Sequence, residues 1–178
     1  MKGVLSRRPG VVRCGWLSKE GAHALSRAFP SQRFCVLVDG RLEYYEERVV
    51  ILPVQRDGSS GCEVTNWNLV VHVLEPDPQG VAVGDIITAV DGFELSSRTL
   101  NEQITAGVGR NGVSYKLTVL RPKGDVQLAD ALVESIGRDR LQITPKHLTT
   151  RPPFVFIANG SGGRDEWLEA IDSHVREV

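Results

Sequence analysis

Four histidines, three cysteines and one glycine-flanked serine are the residues of this 178-residue chain best suited to chemistry. A metal site needs several such ligands at short, regular spacing. His23, His72, His147 and His174 are dispersed, and no pair of them shows that spacing. Cys14, Cys35 and Cys62 are odd in number and lack a Cys-x-x-Cys pair, which argues against both a zinc site and a disulfide framework and fits a reducing compartment. Cys14 and Cys35 fall on strands expected to pair, so a contact between them is open. Ser161 sits in Asn159-Gly160-Ser161-Gly162-Gly163, but no His–Asp pair is placed to activate it, and the run reads as the entry turn of a helix. Gly107-x-Gly109-x-x-Gly112 has the spacing of a dinucleotide fingerprint. That fingerprint must follow a strand and open a helix; here it follows a helix and opens a strand, so it reads as a turn. The chemistry-bearing residues therefore predict a non-enzymatic chain with no metal and no cofactor.

Binding is left, and charge bounds it. The net charge is −1, so no global field favours nucleic acid or a membrane. The distribution is uneven. Residues 1–47 carry eight Lys/Arg against five Asp/Glu, residues 48–121 carry six against eight, and residues 122–178 carry seven against nine. Any basic face belongs to the first segment. No apolar run approaches the ~20 residues that span a bilayer, and the N-terminus has basic residues without the apolar core of a secretory signal. A cytoplasmic location is expected, with peripheral membrane or cytoskeletal association as the alternative.

The elements that must position a binding site come from periodicity. In the middle of the chain, Val83-Gly84-Asp85-Ile86-Ile87-Thr88-Ala89-Val90-Asp91-Gly92 is a short apolar strand between two turns. Around it, Arg48–Gln55, Cys62–Thr65, Leu69–Leu74 and Val113–Arg121 read as strands. Thr99-Leu100-Asn101-Glu102 is a capping box that opens a helix, continued by Leu100, Ile104 and Val108 at a spacing of four. The Gly-Asp-x-Ile-x-x-Val-Asp-Gly run resembles the core of PDZ domains, which bind peptides as an added strand. The resemblance implies that Ser59, Ser60, Gly61 and Cys62, with Arg56 upstream, form a carboxylate-binding loop. It also implies a groove along Val64, Leu100 and Ile104, with Leu100 reading a ligand side chain. Ser60 departs from the family pattern, which has an apolar residue there. The loop Glu75–Val83 is short for the family's small first helix.

The flanking segments read as one further domain. Val11–Lys19, Arg33–Val38 and Arg41–Glu46 alternate as strands, with Asp39-Gly40 as a hairpin turn. After the middle segment come a strand at Lys123–Leu128 and others at Ala131–Glu134, Arg140–Thr144 and Phe154–Ala158. A helix follows at Arg164–Arg176, with an apolar face of Trp167, Leu168, Ile171 and Val175. Gly15-Trp16-Leu17-x-Lys19, the paired strands to Tyr45 and the terminal Asp-Glu-Trp-Leu-Glu-Ala-Ile helix resemble the two ends of a pleckstrin-homology (PH) domain. The fold expected is therefore mainly β with few helices (α+β). It is a bent seven-stranded PH-type barrel capped by a C-terminal helix, built from residues 1–47 and 122–178. A small PDZ-like barrel or sandwich, residues 48–121, is inserted between its third and fourth strands. Syntrophins have this arrangement.

Some PH domains bind inositol phosphates through basic residues on the first strands. By that resemblance Lys19 and Arg33 are lipid-binding candidates, with Arg27 and Arg41 adding charge. The middle basic position is Ser31, and Glu43 stands where lipid binders often carry a phosphate-contacting Tyr; a carboxylate there would repel phosphate. The function expected is an adaptor or scaffold binding protein partners, such as cytoskeletal or signalling proteins, through C-terminal or internal peptides. The alternative is recruitment to phosphoinositide or other anionic membrane. No nucleic-acid partner is expected.

Overall fold

The computed structural model describes residues 2–22, 27–107, 113–146, 152–158 and 163–176. Of the positions discussed above, His23, Val108, Gly109, Gly112, His147 and the run 159–162 lie outside them. The protein is mainly β, with a large antiparallel sheet and a few helices. The elements in chain order are α1 (Lys2–Leu5), β1 (Val11–Lys19), β2 (Ser31–Val38), β3 (Arg41–Pro53), β4 (Cys62–Val64), β5 (Val70–Val73), β6 (Ile86–Val90), β7 (Phe93–Glu94), α2 (Leu100–Thr105), β8 (Ser114–Gln127), β9 (Ala131–Ile136), β10 (Arg140–Pro145), β11 (Phe154–Ala158) and α3 (Gly163–Arg176).

The chain divides into two compact units. One comprises Met1–Pro9 and Glu46–Pro122, the other Gly10–Tyr45 and Lys123–Val178. The first nine residues thus fall in the unit of the middle segment, whereas the sequence places them with the outer one. Their reason is packing. Val4 and Leu5 on α1 are fully buried. Gly3 lies so close to Ser96 that a Cβ would meet its Cβ at 2.7 Å. Arg7 Nη2 donates to the carbonyls of Leu95 and Arg98 at 3.1 and 3.0 Å.

In the outer unit β1 pairs antiparallel with β2 and β11, β2 with β3, and β10 with β9 and β11. Asp39 and Gly40 both take positive φ, 47° and 72°, as the two-residue hairpin turn requires. Leu17, Leu37, Leu42, Leu141, Ile143 and Phe156 form the centre of the core, and Trp167 and Ile171 of α3 close it. The guanidinium of Arg13 stacks 5.1 Å from the Trp167 ring and pairs with Glu166. Cys14 and Cys35 are on paired strands but not opposite each other: Cys14 faces Val36, and Cys35 faces Gly15. Neither is in a disulfide, nor is Cys62.

In the middle unit β6 pairs with β7 and β8, and β4 with β5 in a separate two-stranded sheet. The motif strand β6 is buried at every position. Asp85 at its start is buried and gripped by Arg121, which donates to its two carboxylate oxygens at 2.9 and 2.7 Å and to the carbonyl of Gly80 at 2.6 Å. Asp85 also accepts the Ala82 N–H at 2.9 Å. That turn is thereby fixed by a charge pair that hydrophobic periodicity does not reveal. Residues 75–85 form turns and no helix.

Candidate functional site

A cleft of about 630 Å³ lies in the middle unit, between β4 and α2. Its floor begins at the loop after β3. Asp57 accepts the Ser59 N–H at 2.9 Å, the Ser59 carbonyl accepts the Gln55 N–H at 3.0 Å, and Tyr115 donates its hydroxyl to the Gly58 carbonyl at 2.9 Å. These bonds fold residues 55–59 back on themselves. Hydrogen bonding to the Ser59 N–H and hydroxyl holds the Asp57 carboxyl below the usual carboxylate range. Gly61 follows at φ 63°, a left-handed conformation that favours glycine, and a Cβ there would push aside the flexible Gln55 side chain, 2.9 Å away. The N–H groups of Gly61 and Cys62 donate in long bonds, 3.4 and 3.5 Å, to the hydroxyls of Ser59 and Ser60. A carboxylate at this point would accept from the same donors more strongly.

The far wall is α2. Its capping box is complete: Thr99 Oγ1 accepts the Glu102 N–H at 3.2 Å and Glu102 Oε2 accepts the Thr99 N–H at 2.7 Å. That bond also pushes the Glu102 pKa down. Asn68 sets where the helix begins. It is fully buried at φ 61°, its Oδ1 accepts the Leu100 N–H at 2.8 Å, and its Nδ2 donates to the Arg98 carbonyl at 3.0 Å.

The residues expected to bind peptide divide. Ser59, Ser60, Gly61, Cys62 and Ile104 line the cleft. Arg56 is exposed and Val64 half-buried, and neither lines it. Leu100 is fully buried, so it packs into the unit and cannot read a ligand. Asn101 and Thr105, one turn apart, face the cleft in its place. Asp57, Glu63, His72 and Leu74 complete the lining. The spacing of Leu100 and Ile104 identified the helix but not which of its faces turns inward. Ser60, unexpected in the loop, is buried, with its hydroxyl 3.3 Å from the Cys62 carbonyl. Burial raises the pKa of the Cys62 thiol.

A smaller cleft of about 230 Å³ lies in the outer unit. Lys19 and Arg33 meet there, with Glu20, Gly21, Ser31, Tyr44 and Lys123; the Glu20 carboxylate is paired with Arg140 at 3.3 Å. The Lys19 ammonium stands 5.1 Å from the Tyr44 ring centroid and 5.4 Å from that of Phe154. Burial first, and then the Arg33 charge, lower its pKa. Arg27 lines a separate hollow with Gln142 and Pro152. Arg41 lies outside the cleft, paired with Glu43 at 2.9 Å. Glu43 does not place a carboxylate against this cleft as its position in the sequence suggests. It is buried, accepts from Tyr45, and leaves its neighbour Tyr44 to line the cleft, since successive residues of a strand face opposite sides. Lys123 was missed because it is 90 positions from Arg33 and only the fold brings them together.

Among the described residues there is no group of three or more potential metal ligands, and no helix long and apolar enough to cross a membrane.

No protein-family model matches the chain. It is similar to a carboxy-terminal-processing protease of Bartonella bacilliformis, 34% identical over 85 residues. That alignment takes in 44% of this chain and 20% of the relative, so the chain spans about a fifth of the relative's length.

Proposed function

We propose that the middle unit is a non-catalytic, PDZ-like peptide-binding module, carried within a PH-like host formed by the outer unit, and that the chain serves as an adaptor between protein partners. The observation that carries this is the cleft between an edge strand and a helix. Among the described residues β4 pairs only with β5, so its other edge has main-chain groups to offer an extended segment, and α2 stands opposite to receive side chains. The loop at Gly61 stands at the end of β4, where the last residue of an added strand would fall. The likeness to a carboxy-terminal-processing protease supports the same reading, since that protein is named for acting on carboxy-termini. The test is titration of the labelled protein with a C-terminal hexapeptide library, followed by amide NMR shifts. Shifts confined to 57–63 and 101–105, and lost in Ile104→Asp, are expected. Shifts elsewhere, or none, would refute the module.

A second reading concerns the outer unit. Three cations, Lys19, Arg33 and Lys123, converge with Tyr44 on one cleft against a single carboxylate, Glu20, which Arg140 already pairs; the excess of positive charge favours a phosphate group such as a phosphoinositide headgroup. Liposome sedimentation at two salt concentrations tests it. Binding that needs phosphoinositide and fails in Lys19→Ala/Arg33→Ala is expected; binding retained in the double variant would remove this reading.

A further inference from the structure

Among the described residues, the cleft of the middle unit is lined by carboxylates and not by Lys or Arg. Asp57 and Glu63, both exposed, line it, together with His72. The Ser60–Gly61 turn separates it from a second hollow of about 290 Å³, and Glu75 and Asp77 line that one, again with no Lys or Arg among the described residues. Arg56 adjoins Asp57 in sequence but lines neither. Four carboxylates therefore flank one turn, on both of its sides, and the apolar contacts between them come from Ile104 and Leu74 in the first hollow and Ile51 and Val81 in the second.

We propose that the segment this cleft accepts is basic: an apolar anchor residue for Ile104 and Leu74, flanked by lysine or arginine that meets Asp57 and Glu63. This rests on the peptide-binding reading above and names its partner class. A segment added along β4 runs beside Glu63 and ends against the loop that holds Asp57. An acidic side chain there would meet like charge and a basic one opposite charge. The pairs are exposed, so each adds modest affinity and chiefly selects between partners.

The test uses the full chain and two synthetic hexapeptides with free C-termini, alike except for Lys or Glu two residues before an apolar end. Affinities are measured by fluorescence anisotropy at low salt. The variants are Asp57→Asn/Glu63→Gln, in which the Asn keeps the oxygen that accepts from Ser59, and Ile104→Asp, with circular dichroism as the check on folding. The Lys peptide is expected to bind about three- to tenfold tighter than the Glu peptide, and the double variant to erase that preference. Equal affinities, or a preference that survives in the double variant, would overturn the basic partner while leaving the cleft intact. Binding of neither peptide, or binding indifferent to Ile104→Asp, would overturn the cleft reading and the basic partner together.

Discussion

Asn68 Oδ1 accepts the backbone N–H of Leu100 at 2.8 Å, which ties the turn before β5 to the first residue of α2 across 32 positions of sequence. The same side chain donates to Arg98, and its backbone takes a left-handed conformation that asparagine tolerates better than most residues. Asn68→Ala removes both bonds and keeps the strained φ. A loss of about 2–4 kcal/mol is expected in urea unfolding. The amides of α2 should lose hydrogen-exchange protection before those of β6.

Leu100 and Ile104 lie one turn apart and should respond oppositely to the same change. Leu100→Asp puts a carboxylate into a fully buried site and should cost about 4 kcal/mol or more. Ile104→Asp, half-buried at the cleft, should cost well under half of that and abolish peptide binding. Thermal melts of the two variants beside a binding titration separate the roles. Equal melting temperatures would mean that Leu100 is not in the core.

Burial pushes the Cys35 thiol up to about 12 from 9.0. The unfolded chain thus gives up this proton at lower pH than the folded one. The contribution to stability is whole below about pH 9 and is lost as pH rises toward about 12. Urea unfolding between pH 8 and 10.5 should show a steeper alkaline decline for the native protein than for Cys35→Ala. At pH 8 a thiol reagent should modify half-buried Cys14 well before Cys35 or Cys62.

Trp167 plugs the outer unit from α3, with Arg13 stacked on its ring. Trp167→Ala should cost about 3–5 kcal/mol. Trp167→Phe should cost less, because it refills most of the space. Near-ultraviolet dichroism and urea midpoints measure both.

What the sequence disclosed was local. The Asp39-Gly40 hairpin and the Thr99–Glu102 capping box are each complete within four residues, and both appear where their residue types demand. Alternation likewise locates β1, β2, β6 and β11. What it left hidden depends on residues far apart. Nothing near Asn68 announces Leu100, and nothing near Asp85 announces Arg121. Lys2–Leu5 carries too little pattern for a helix to be read, yet it buries two side chains. At the candidate site the loop was legible because glycine and small polar residues mark it. The helix wall was misread at Leu100, because six residues give too few turns to tell an inward stripe from an outward one. Phe93–Glu94 is too short for its pairing with β6 to register as a period.

β4 is three residues long, with Glu63 exposed at its centre. An open edge strand ordinarily invites a second copy of the same chain to pair with it and begin a polymer. Two copies of β4 laid edge to edge and antiparallel would bring Glu63 against Glu63 at the midpoint, with only a residue on either side to compensate. Like charge at that midpoint works against self-pairing, so the edge proposed to receive a foreign segment is a poor template for a second copy of itself and a poor seed for aggregation.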